Sequence, residues 1–166
     1  MPITQILTAD QIQQKIRRIA FQVYETNFAE SHVVLAGVAG EGFVLARRLA
    51  AELCQIAPFQ VTLVQIDLDK SQPAQPDISL PALPANYTGV VVIVDDVLYS
   101  GRTLAFSLQP FLHMAITKIQ IAVLVNRNHP RYPIAASFIG YELATTLSEH
   151  VEVVLSDAAR EGVYLR

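Results

Sequence analysis

Val90-Val91-Val92-Ile93-Val94-Asp95-Asp96-Val97-Leu98-Tyr99-Ser100-Gly101-Arg102-Thr103-Leu104 is the most informative run in this chain. Its first five residues are aliphatic and β-branched, the pattern of a strand buried on both faces and central in a parallel sheet. Two carboxylates, Asp95 and Asp96, stand where that strand is expected to end, and a short loop then leads into an apolar-periodic helix. In an open α/β sheet, ligands gather at the carboxyl ends of the strands, and a helix start presents unpaired amides to an anion. Ser100 and Thr103 add hydroxyl donors, Gly101 lets the backbone come close, and Arg102 adds a fixed positive charge. Read as chemistry, this is a phosphate cradle beside two carboxylates that can bind sugar hydroxyls, or Mg²⁺ through water. The same residue types also suit a purely structural turn, since an acid after a strand often caps a helix and Ser-Gly is a common turn.

On the N-terminal side, Leu7-Thr8-Ala9-Asp10-Gln11 opens a helix, with Thr8 as cap and Gln11 completing a capping box. Ile12, Ile16, Ile19, Ala20 and Val23 form its apolar face, and Lys15, Arg17 and Arg18 are expected on a solvated one. His32–Val38 reads as a core strand running into Ala39-Gly40-Glu41-Gly42 and a helix carrying Phe43, Leu45, Ala46, Leu49 and Leu53. Gly37, Gly40 and Gly42, with Asp67 as a ribose acid, hint at a dinucleotide turn, but their spacing is not the Rossmann fingerprint. Val61–Asp67 is the next strand. Residues 68–86 then carry Pro73, Pro76, Pro81 and Pro84, enough to forbid regular structure. On the C-terminal side, Thr103 to Met114 reads as a helix that Pro110 should kink or end. Lys118–Val125, Ser137–Tyr141, Glu152–Leu155 and Gly162–Leu165 read as strands.

Composition narrows the class. Of the 166 residues, 52% are hydrophobic and only 16% charged, which fits one globular domain over 1–166 with apolar surface left for a homo-oligomer. No apolar run has membrane-spanning length, and the lone Cys54 cannot form an internal disulfide, so the expectation is a cytoplasmic protein with no membrane partner. A net charge of −3 gives no overall electrostatic footprint for nucleic acid.

The run from Val90 to Leu104 closely resembles the signature of type I phosphoribosyltransferases, enzymes that use 5-phosphoribosyl 1-diphosphate (PRPP). The resemblance implies an α/β fold with a central, mostly parallel sheet flanked by helices and a variable hood. It implies that Asp95 and Asp96 are catalytic and meet the ribose, while Val97, Leu98, Tyr99, Ser100, Gly101, Arg102 and Thr103 hold the 5′-phosphate. Tyr99 stands where 6-oxopurine enzymes usually carry a third acid. The spelling is most similar to the pyrimidine-operon attenuator proteins that double as uracil phosphoribosyltransferases. Uracil and PRPP as substrates, a nucleoside monophosphate and pyrophosphate as products, and Mg²⁺ held through substrate and water are what this resemblance implies. RNA is a further partner of the resembled group, disfavoured here by net acidity and by Leu147 at a usual Arg position.

Three regions depart from the resembled pattern. Val38, Ala39, Gly40, Glu41 and Gly42 correspond to the pyrophosphate loop, yet Ala39, Gly40 and Glu41 replace Lys, Thr and Arg. A like-charge contact at about 4 Å costs on the order of 4 kcal/mol at an effective dielectric near 20, so Glu41 is expected to weaken diphosphate binding. The hood, residues 68–86, lacks the usual Tyr-Arg-Asp-Asp run and offers only Asp69 and Lys70, beside Asp67 before it, as charged groups. Asn126, Arg127 and His129 correspond to the base pocket, with Asn126 and Asn128 differing from the pattern. A catalytically silent nucleotide binder is the third reading that these departures admit.

Overall fold

The structure, a computed structural model, describes residues 2–75, 78–146 and 148–166. Met1, Pro76, Asp77 and Leu147 lie outside the described residues, and with them the expectations placed on Pro76 and Leu147. In chain order the elements are β1 (Thr4–Thr8), α1 (Ala9–Asn27), β2 (His32–Val38), α2 (Glu41–Ile56), β3 (Gln60–Ile66), β4 (Val90–Leu98), α3 (Arg102–Ser107), α4 (Gln109–Leu112), β5 (Lys118–Asn126), β6 (Phe138–Glu142), β7 (Val151–Val154) and β8 (Gly162–Leu165).

β4 is central because its Val90–Val94 run has no polar face to leave in water. All five residues are fully buried. They sit in a five-stranded parallel sheet of order β3-β2-β4-β5-β6. Val90, Val92 and Val94 face one apolar layer with α1 and α2, through Ile12, Ile16, Leu45 and Leu49. Val91 and Ile93 face the other, with Leu104, Phe111 and Leu83. Chain order runs one way from β2 to β3 and the other way from β4 to β6, so the crevice between β2 and β4 is the sheet's topological switch point. A second, antiparallel sheet of order β1-β8-β7 packs Leu7, Val151, Val153 and Val163 into the first layer.

Several expectations are corrected. Residues 4–8 form a strand before the helix, because β8 supplies an antiparallel partner that local sequence cannot reveal. The capping box itself forms: Gln11 N donates to Thr8 Oγ1 at 3.3 Å, and Thr8 N donates to Gln11 Oε1 at 2.9 Å. Thr8→Ala is expected to lower stability by about 1 kcal/mol in a urea melt without changing the slope of the transition. Arg18 is not simply solvated; it donates to the carbonyls of Ile139 and Gly140 at 3.2 and 2.6 Å, clamping α1 to β6. Residues 103–114 form two short helices, with Pro110 in the first turn of α4, where its missing N–H is harmless. Asp95 and Asp96 lie within β4 rather than after it, because β5 keeps pairing as far as Leu98 opposite Asn126. No helix among the described residues is long and apolar enough to cross a membrane.

Candidate active site

The carboxyl ends of β2 and β4 bring the β2–α2 loop against the paired acids. Asp95 is only 2% exposed. Its Oδ1 accepts from Asp96 N at 2.9 Å. Burial pushes its carboxyl well above the ordinary carboxylate range, the adjacent Asp96 charge adds to the rise, and Lys70 opposes it. Asp96 is half-buried, with Oδ1 accepting from Val97 N at 2.9 Å. The two acids therefore differ in kind: Asp95 is a buried group under α2, and Asp96 borders open space.

Asp95 and Asp96 share a cavity of about 540 Å³ with Val97, Tyr99, Thr103, Arg127 and Lys70. Its far wall is residues 148–153, from the antiparallel sheet and the turn before it. That wall is the part sequence reading missed, since nothing local marks residues 148–153 as neighbours of β4. Beside it, Asp95 and residues 97–104 line a smaller cavity of about 160 Å³.

The loop around that smaller cavity is held from outside. Gly101 has φ 85°, a left-handed conformation that suits glycine, and a Cβ there would sit 3.1 Å from Ile134 Cβ. Ser100 Oγ accepts from Arg102 N at 3.3 Å, and Ser100 O accepts from Arg131 N at 2.8 Å and Tyr132 N at 3.1 Å. α3 is six residues long, so the helix-end field it offers is small. The Arg102 guanidinium stacks on Phe106 at 5.1 Å and donates to the Gln72 carbonyl, tying the loop to the proline-rich segment.

The expected base-pocket residues divide. Arg127, 5% exposed, lies 4.1 Å over the Tyr99 ring, and its Nε donates to Thr145 Oγ1 at 3.0 Å. A second guanidinium nitrogen donates to the Glu149 carbonyl. His129 meets Tyr99 edge-on at 5.4 Å and donates through Nε2 to Thr145 O at 2.5 Å. Asn126 joins Leu98, Tyr99, Ile134 and Ile139 around a cavity of about 150 Å³. Tyr99 borders all three cavities and so links the carboxylates, the loop of residues 97–104 and this apolar recess.

In the β2–α2 loop, Gly40 has φ 97° and Ala39 N donates to Ile66 O at 2.9 Å. Gly42 lies so close to β4 that a Cβ would fall 2.7 Å from Asp95 Oδ1. Glu41 does not project at the cavity as expected; its carboxylate is turned to Leu155 and Ser156. The backbone N–H groups at 155 and 156 and the Ser156 hydroxyl hold the carboxylate there.

Residues 2–160 match the family model described as phosphoribosyl transferase domain. The chain belongs to the phosphoribosyltransferase family. It is 39% identical to the bifunctional protein PyrR of Chloroflexus aurantiacus, over 98% of this chain and 94% of that one. Against the bifunctional protein PyrR of Fusobacterium nucleatum the identity is 37%, covering 92% and 90%. Among solved structures, the hypoxanthine phosphoribosyltransferase of Trypanosoma cruzi superposes with TM-score 0.78 at 17% identity, covering 98% of this chain and 95% of that one. A hypoxanthine-guanine phosphoribosyltransferase of Bacillus anthracis gives TM-score 0.68 at 23% identity, covering 86% and 84%. These two likenesses establish the type I phosphoribosyltransferase fold.

Proposed function

We propose that this phosphoribosyltransferase-family chain transfers the 5-phosphoribosyl group of PRPP to uracil, giving UMP and pyrophosphate. The observation that carries this reading is the pairing of a half-buried carboxylate, Asp96, with a separate small cavity ringed by residues 97–104. Asp95 and Asp96 orient the ribose hydroxyls, and residues 97–103 hold the 5′-phosphate. The base lies near Tyr99, between Arg127 in the larger cavity and Asn126 in the recess. The C1–diphosphate bond breaks ahead of nitrogen attack, so positive charge develops on the ribose and the anionic Asp96 stabilises it. Residues 148–153 and Lys70 border that centre and would limit its access to water.

The donor set suits Mg²⁺ carried by the substrate. No group of three His, Cys, Asp or Glu among the described residues forms a cage, and Asp95 is too buried to serve as a ready anion. Asp96 is the residue to hold the ion's water shell, in keeping with Mg²⁺ retaining several waters. When bound, the ion neutralises charge on the departing diphosphate.

Release of pyrophosphate from PRPP and Mg²⁺, with and without uracil, tests the proposal. Uracil-dependent release is the expected result. No release with any nucleobase, while UMP still binds, would leave a silent nucleotide binder. A second reading, an RNA-binding regulator, is favoured by the word bifunctional in the relatives' names. UMP-dependent gel shift of a pyrimidine-gene leader RNA, weakening steeply with salt, would support it.

A further inference from the structure

Glu41 is the residue least expected beside a diphosphate, and its contacts give it a different task. Its Oε2 accepts from Leu155 N at 2.5 Å and Ser156 N at 3.1 Å, and its Oε1 accepts from Ser156 Oγ at 2.6 Å. All three donors lie where the chain leaves β7 toward β8. Two turns further along α2, Arg48 donates to Glu161 at 2.5 Å, at the other end of the same connection, and to Gln13 of α1 at 2.8 Å. α2 is thus fastened to the β7–β8 hairpin at two points, one of them in its first turn.

That first turn follows Gly40, which provides no side-chain cap. Nothing in Ala39-Gly40 can lock the loop by its own side chain, and a glycine hinge leaves the chain entropically free. The Glu41 carboxylate supplies the missing restraint from a remote element, and its charge complements the positive end of the helix. Charge-assisted bonds from a carboxylate to backbone N–H groups are stronger than neutral ones, which suits a tether.

We propose that Glu41 is a positioning residue for diphosphate recognition: it latches the Gly40–Gly42 turn to the β7–β8 hairpin, so that the free amides of the first turn of α2 face the ligand beside Asp95. The inference rests on the phosphoribosyl-transfer reading for the identity of that ligand. It makes the β7–β8 connection at residues 155 and 156 a determinant of affinity for the diphosphate half of PRPP and not for the 5′-phosphate half.

A latch and a repelling charge predict opposite results. Calorimetric titration with pyrophosphate and Mg²⁺, and separately with UMP, would compare wild type with Glu41→Ala, Glu41→Gln and Ser156→Ala. With a latch, Glu41→Ala weakens pyrophosphate binding about tenfold. Ser156→Ala, which removes one donor without touching a ligand, weakens it about threefold. Glu41→Gln keeps one acceptor oxygen and falls between, while UMP affinity stays level throughout. Unchanged or tighter pyrophosphate binding in Glu41→Ala overturns the latch, as does a parallel loss of UMP, which would mark a general structural role. Should Glu41→Ala not fold, Ser156→Ala carries the same comparison. A wild-type chain that binds pyrophosphate but turns over no PRPP defeats the transfer reading alone; one that does not bind pyrophosphate defeats the latch.

Discussion

Asp96→Asn is expected to lower kcat/KM for PRPP by about 10²–10³-fold, since it removes the half-buried strand-end carboxylate assigned to the developing cation. Its circular dichroism and Tm should stay close to wild type, because Asn can still accept from Val97 N. Asp95→Asn should behave differently. Burial holds the Asp95 proton more tightly in the folded chain than in the unfolded one, where the ordinary value is 3.8. Between that value and the raised one the folded state binds the extra proton, so stability falls as pH rises through the window and then stays level. Asn carries no charge to desolvate, so Asp95→Asn should melt higher than wild type near neutral pH, with the gap closing toward pH 4. Melting curves at several pH values, run beside pyrophosphate-release assays, check both halves. A wild-type advantage at neutral pH would contradict the assignment of Asp95 as a buried, strained acid.

Gly42→Ala should be damaging to activity although it adds only a methyl group. Its Cβ would stand 2.7 Å from Asp95 Oδ1 and 3.1 Å from both Asp95 Cα and Val94 O. Two of these neighbours are backbone of the central strand, which cannot step aside, so α2 must lift from β4. Overpacking of this kind costs about 1–3 kcal/mol. For a chain of this size, that lowers Tm by about 2–4 °C per kcal/mol. The activity loss should exceed the stability loss, since a shift of about 1 Å at reacting groups costs on the order of 10²-fold. Thermal melts and kcat/KM on the same preparations separate the two. Near-normal activity in Gly42→Ala would show that the close approach of α2 to Asp95 is unimportant.

The central strand and the capping box were legible because each is written in contiguous residues. Five β-branched aliphatics define a doubly buried strand, and Thr8 with Gln11 defines a helix start. What was not legible depends on partners distant in the chain. β1 is a strand only because β8 lies beside it, and Asp95 and Asp96 remain in β4 only because β5 extends to Asn126. Glu41 shows the same dependence. Its charge is plain in the sequence, whereas its direction is set by donors at 155 and 156. Residues 148–153 were likewise hidden as a cavity wall, since they reach β4 through the second sheet.

The small antiparallel sheet has one more consequence. Its register sets Thr4 opposite Leu165, so forming it closes almost the entire chain into a loop. Closure entropy grows with loop length, which makes this the contact with the steepest entropic cost in the molecule. The parallel sheet can assemble around β4 from shorter crossovers. During synthesis the β2–α2 turn therefore emerges well before residues 155 and 156, which fasten it.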